Sequence, residues 1–297
     1  MILEHRIPAK YLLDIIKYEL IIALLAGMGT RLLAGIFTDD VPLMPLAIPA
    51  FLGTSISVLL SFKMNQSYDR WWEARKLWGA IVNDSRSLIL QLQSFVSTDQ
   101  APAIQKMAYR QIAWCYALGK SLRGQAALDN TNHLLTPTEQ KAIAQHSHHP
   151  LAIMQLNARA LQSLRSHKAI DAFGHIHIQE TLTRLTDSMG GVERINRTIF
   201  PSTYRLVLHF IIYLFIITLA ISLKNVSNLL VVPLLLLISA GFFFIEKIAF
   251  HLQAPFRNRP SDVPVTDIAE TIEKNIRQLL GEAAKPEAIV KKSHYIL

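Results

Sequence analysis

At 297 residues the chain has room for one or two domains, but 51% of it is hydrophobic and only 18% charged, against about 25% charged in ordinary soluble chains. With a mean hydropathy of +0.27, this excludes an ordinary soluble globular protein and directs attention to membrane segments. A net charge of +8 and a pI of 9.6 choose no partner, because basic membrane-flanking loops give the same excess as a nucleic-acid-binding face.

In chain order, residues 1–18 are a short basic segment with Arg6, Lys10 and Lys17 and no signal-peptide pattern. Four apolar stretches approach the ~20 residues a helix needs to cross a bilayer core: Leu20–Phe37, Leu43–Phe62, Leu206–Leu223 and Leu229–Phe250. They form two closely joined pairs, within 19–63 and 205–252. The loop Thr38–Pro42 carries no Lys or Arg, and the loop after Leu223 has only Lys224 at its edge. Lys63, Arg70, Arg75 and Lys76 open the middle block, and Lys247, Arg257 and Arg259 flank the tail. Basic flanks stay inside, so both termini and the middle block are expected in the cytoplasm of a cell-membrane protein.

The block 64–204 is too polar to be threaded through lipid and reads as helices. Residues 64–97 repeat apolar positions every 3.6 residues (Trp71, Trp72, Ala74, Leu77, Trp78, Ile81, Val82, Leu88, Leu92), and 102–123 and 151–165 continue the pattern. Thr136-Pro137-Thr138-Glu139 is a capping box with Pro at the first helical position, predicting a helix from 137 to about 145. Further helices are expected over 169–197 and, in the tail 253–297, near 264–281. No β-alternation and no internal repeat is present, so the fold class is all-α. The lone Cys115 rules out an intrachain disulfide and a cysteine zinc cage, and its apolar helical setting makes it a small core residue.

His146-Ser147-His148-His149-Pro150 and His175-Ile176-His177 are the sites where a metal could be sought. The first has no carboxylate or Cys nearby, and His at i and i+2 point to opposite faces of a helix, so no metal and no cofactor are expected. Neither a phosphate-cradling glycine loop nor a nucleophile elbow is present, and no enzyme is expected.

The second span is chemically unusual. Gly53, Thr54, Ser55, Ser57 and Ser61 interrupt its Leu and Ile, and an amphipathic helix follows without a break. Small and hydroxyl residues let membrane helices approach closely, which is the plain reading. Thr54, Val58 and Phe62, however, fall at i, i+4 and i+8, a narrow stripe that could line a pore and gate it by dewetting. Pro45 and Pro49 are expected to interrupt this span near its outer end, and Pro233 to kink the fourth.

The stretch Phe62-Lys63-Met64-Asn65-Gln66-Ser67-Tyr68-Asp69-Arg70-Trp71-Trp72-Glu73-Ala74-Arg75-Lys76-Leu77-Trp78-Gly79 resembles the signature of the bestrophin family, especially its bacterial members. Glu193-Arg194-Ile195-Asn196-Arg197-Thr198-Ile199-Phe200-Pro201-Ser202-Thr203-Tyr204 is similar to that family's lead into the third span. The resemblance implies a homopentameric ion channel with a central pore lined by the second span and a neck at Thr54, Val58 and Phe62. It also implies a cytoplasmic aperture near Ile170 and Phe173. Thr54 stands where the family usually has a larger apolar group, which loosens the expected outer constriction. Animal bestrophins complete a calcium clasp after the fourth span, whereas here Ala254–Asp262 offers two arginines and one aspartate, so calcium activation is not expected. Read by spacing alone, Tyr68, Trp71, Trp72, Arg75 and Trp78 form a core face, with Arg70, Glu73 and Lys76 pairing locally; the motif, Asp69 included, is taken as structural.

Passive conduction of monovalent ions is therefore the leading function, with chloride-like anions slightly preferred and a monovalent cation channel as the alternative. The expected partners are the lipid bilayer, further copies of the chain and monovalent ions, with no nucleic acid. Lys63 would favour anions if it faced the lumen, but one residue after Phe62 it turns about 100° away. A membrane-anchored scaffold would not need the hydroxyl-rich second span. A coupled transporter would put an ionisable residue in the spans; Arg31 qualifies, unless it reaches Asp39 or Asp40 or lines an outer vestibule.

Overall fold

The computed structural model describes residues 9–36, 44–129, 131, 133–198 and 201–282, and these are helical with no strand among them. In order the helices are α1 (Ala9–Ile36), α2 (Ala47–Phe95), α3 (Ala101–Leu122), α4 (Pro137–Ala144), α5 (His149–Ser166), α6 (Ala172–Arg197), α7 (Ser202–Ser222), α8 (Asn228–Gln253) and α9 (Val265–Leu279). Two compact units result. The span unit takes the described residues of Glu4–Arg70 and Ile199–Gln253; the polar unit takes Trp71–Thr198 and the described residues from Ala254.

Four helices are long and apolar enough to cross a membrane: Leu13–Ile36, Ala47–Phe95, Thr203–Ser222 and Leu229–Gln253. Within the span unit α1 packs on α7 and α8, and Ile16, Ala23, Ile56, Leu60, Ile212, Phe215 and Phe243 form the core. Large apolar side chains also point outward, Leu25, Phe210 and Leu229 among them, as suits helices whose solvent is hydrocarbon. Glycine serves close approach: a Cβ on Gly27 would stand 3.3 Å from Leu235, and one on Gly53 3.3 Å from the Phe215 ring. The buried carboxylates of this unit are paired, Glu19 with Lys247 at 2.6 Å and Glu246 with Arg205 at 3.0 Å, as low-dielectric surroundings require.

Two span expectations change. Pro45 and Pro49 do not interrupt α2; they start it. The helix begins at Ala47, and Pro49 lies in its first turn, where an amide N–H would have no intrahelical acceptor. The Ile48 N–H closes the entry turn on the Pro45 carbonyl at 3.1 Å. Arg31, in turn, donates to the carbonyls of Leu223 (2.8 Å), Lys224 (3.4 Å) and Val226 (2.7 Å), just past the end of α7. A cation there satisfies orphan carbonyls and opposes the negative pole of the helix, a structural cap that needs no transport role. Asp39 and Asp40, its other expected partners, lie outside the described residues, as does the Arg6 segment.

In the polar unit α3 is the central rod, buried from Ile104 to Leu122 on most of its faces and packed on α5, α6 and α9. Cys115 is fully buried, and burial pushes its thiol up to about 12. The Thr136 capping box forms as expected, with Glu139 accepting the Thr136 N–H at 2.8 Å. Burial alone would raise the Glu139 carboxyl, but the Thr136 bonds and the Arg110 guanidinium at 2.6 Å hold it below the usual carboxylate range. Helix α5 begins at His149, two residues before the expected 151, because His148 caps it. The His148 Nδ1 accepts the Leu151 N–H at 3.2 Å while its Nε2 meets Glu193 at 2.7 Å. At the start of α6, Asp171 accepts the Gly174 N–H at 2.7 Å.

Candidate ion pathway

Helix α2 is one uninterrupted run of 49 residues, and one face of it is buried along its whole length. Ile56, Leu60, Lys63 and Ser67 carry that face through the span unit, and Ala74, Trp78, Ile81, Ser85, Leu88 and Leu92 carry it through the polar unit. The 36 residues from Ile56 to Leu92 make ten turns at about 3.6 residues each, so the stripe runs straight. Thr54, Val58 and Phe62 lie about 200° from Ile56 and Leu60 and are exposed, Val58 at 50% and Phe62 at 64%. The single chain covers the back of this helix and leaves the predicted neck residues uncovered.

Three hydroxyls of the span are satisfied within α2. Thr54 Oγ1 donates to the Ala50 carbonyl at 3.0 Å, Ser55 Oγ to Phe51 at 2.9 Å and Ser57 Oγ to Gly53 at 2.9 Å, each the i−4 back-bond open to Ser and Thr in a helix. Lys63 follows its expected direction away from the neck stripe. It is 5% exposed, donates to Gln253 Oε1 at 2.6 Å, and holds its ammonium 5.5 Å from the Tyr204 ring. Tyr204 grips the same turn, its hydroxyl donating to the Leu59 carbonyl at 2.7 Å.

Tyr204 and Gln253 thus brace α2 on the side away from Val58 and Phe62, though neither is marked by spacing in the chain. Tyr204 sits in the second motif, but its partner Leu59 is 145 positions away. No periodicity signals such a pair; only the packed fold brings them together.

The first motif divides by helical phase. Trp78 and Ala74 are fully buried, Trp71, Arg70, Glu73 and Arg75 are half-buried, and Tyr68, Asp69 and Trp72 are exposed. Trp71 donates its indole N–H to the Ser261 carbonyl at 3.1 Å and stacks on Trp72 at 6.3 Å; Glu73 pairs with Lys76 at 2.7 Å. In the second motif, the Asn196 amide donates to the Leu122 carbonyl at 3.0 Å, satisfying the end of α3. The two expected aperture residues separate: Phe173 is 76% exposed, whereas Ile170 is 3% exposed and belongs to the core.

The residue pattern from 7 to 278 matches the family described as bacterial/fungal bestrophin protein. The chain is a bestrophin. Among its relatives, the voltage-dependent anion channel-forming protein YneE of Escherichia coli K12 is 29% identical over 248 residues, covering 84% of this chain and 81% of that protein. The voltage-dependent anion channel-forming protein RSc3414 of Ralstonia nicotianae is 28% identical, covering 78% and 76%. The fold matches the crystal structure of a bacterial bestrophin homolog from Klebsiella pneumoniae with a TM-score of 0.84 at 24% identity, over 90% of this chain and 99% of that one. A bestrophin with four membrane-length apolar helices is an integral membrane protein.

In this bestrophin the loop after α8 is braced from inside. Asp262 is 1% exposed, and its Oδ2 accepts the Arg259 N–H at 3.1 Å; burial lifts its carboxyl above the usual range despite the bonds from Arg259 and Arg257. One buried aspartate falls far short of the roughly six to eight oxygens that calcium takes. Adding chelator to the purified channel is therefore expected to leave its current unchanged. Loss of current on chelation, restored by micromolar calcium, would show a clasp built from other residues.

Proposed function

We propose that this bestrophin is a passive anion channel: a homopentamer whose α2 helices surround a central pore, with the neck at Thr54, Val58 and Phe62. The supporting observation is the uncovered strip of α2. The chain's own packing leaves Val58 and Phe62 uncovered beside the hydroxyls of Thr54 and Ser57, and in a ring of identical chains this strip meets its own copies around the axis. The polar unit and both termini are cytoplasmic in this reading, and Phe173, which the fold leaves exposed, forms a second aperture. The anion preference draws on the two relatives, both described as voltage-dependent anion channel-forming proteins.

The reading is tested by reversal potentials of the purified chain in planar bilayers under asymmetric salt. A reversal potential near that of chloride is expected. One near that of potassium or sodium would replace the anion channel by a cation channel, and the absence of any current from a verified oligomer would reject conduction.

A further inference from the structure

We propose that Asp69 sets the ion preference at the pore mouth beyond Phe62, where its carboxylate, repeated around the axis, gathers monovalent cations and depresses anion entry. This rests on α2 being the pore wall. Asp69 follows Phe62 by seven residues, so it lies about 10 Å further along the helix and within about 20° of the same direction. Between them Asn65 and Gln66 straddle the strip and are uncharged.

Asp69 is exposed and makes no ion pair with any described residue. Its neighbouring cations point elsewhere. Lys63 is buried against Gln253, and Arg70, one residue on and about 100° away, is half-buried with its Nε enclosed. Thr54, Val58 and Phe62 carry no charge, so the nearest fixed charge on the strip decides which ion gathers at this end. The Debye length is about 8 Å at physiological salt, comparable to the distance from Asp69 to Phe62, and a ring of identical carboxylates adds its fields in a confined mouth. The preference for anions in this chain is accordingly held down by one residue.

The test uses the full-length channel in planar bilayers. Asp69→Asn is expected to raise the chloride-to-potassium permeability ratio about sevenfold, because a unit charge about 7 Å away in water changes the Boltzmann weight of each ion about threefold and in opposite senses, and the effect should fade as salt is raised. Asp69→Cys allows the charge to be changed after assembly, since Cys115 is fully buried and its thiol unreactive. A cationic methanethiosulfonate should push the ratio further towards anions, and an anionic one should return it to the parent value. If charge at position 69 leaves the ratio unmoved while Val58→Ala or Phe62→Ala changes conductance, the role of Asp69 is refuted and the pore wall stands. If neither position 69 nor the neck affects the current, α2 is not the pore wall and the proposal fails with it.

Discussion

Phe62→Ala and Val58→Ala are expected to assemble as the parent does and to conduct more, by about tenfold if the lost side chains had added about 1.4 kcal/mol to the barrier. An apolar ring excludes water from a narrow neck, so a hydrated ion crosses it at a cost, and shrinking the ring wets the passage. The structure gives this expectation its discriminating power. Truncating a buried Phe costs about 3 to 5 kcal/mol through the cavity left behind, but Phe62 is 64% and Val58 50% exposed in the protomer, so folding of the chain itself has little to lose. Single-channel conductance and oligomer yield should be measured on the same preparations. Normal assembly with parental conductance in both variants would mean that these residues do not line the neck.

Trp78→Ala should have the opposite signature, a large loss of folded protein. Trp78 is completely buried and closes the core from α2: a Cβ added to Gly119 of α3 would touch both its ring, at 3.8 Å, and Val265 of α9, at 3.4 Å. Emptying that site is expected to cost about 3 to 5 kcal/mol, a large share of the ~5 to 15 kcal/mol that holds a typical domain together. Thermal unfolding of the extracted protein should fall by on the order of 10 °C. The indole N–H of Trp78 makes no hydrogen bond, so Trp78→Phe sacrifices volume alone and should recover most of the loss. Trp72, 47% exposed, is the control: its truncation should leave the melting temperature close to that of the parent. If Trp78→Ala melts with the parent, the motif is not the brace of the polar unit.

These two residues, sixteen apart on one helix, illustrate what the chain discloses in advance. Helical phase is a local property, so the separation of Thr54, Val58 and Phe62 from Ile56 and Leu60, and the inward turn of Lys63, are legible from spacing. The Thr136 capping box is equally local, and its helix ends within a residue of expectation. What spacing does not contain is the partner across the fold. Gln253 receives Lys63 from 190 positions away, and Arg31 caps a helix end 192 positions on; read along the chain, Arg31 resembled a transport charge because its acceptors are backbone carbonyls, which every residue carries. The prolines of α2 misled for a related reason. Proline means a break inside a helix and a beginning at its first turn, and only the true start at Ala47 separates the two. The family resemblance points to Ile170 and Phe173 together as an aperture, yet one is spent on the core and the other left outside.

The back-bonded hydroxyls of α2 change what the polar letters of that span amount to. Thr54, Ser55 and Ser57 have each handed their proton to a carbonyl of the preceding turn. In the pore proposed above, a halide passing Thr54 would meet oxygen lone pairs and methyl groups where the written sequence suggests solvating donors. At the level of these three hydroxyls the ion is offered no proton, so it must keep its own water there or shed it unassisted, at a cost set by its hydration energy.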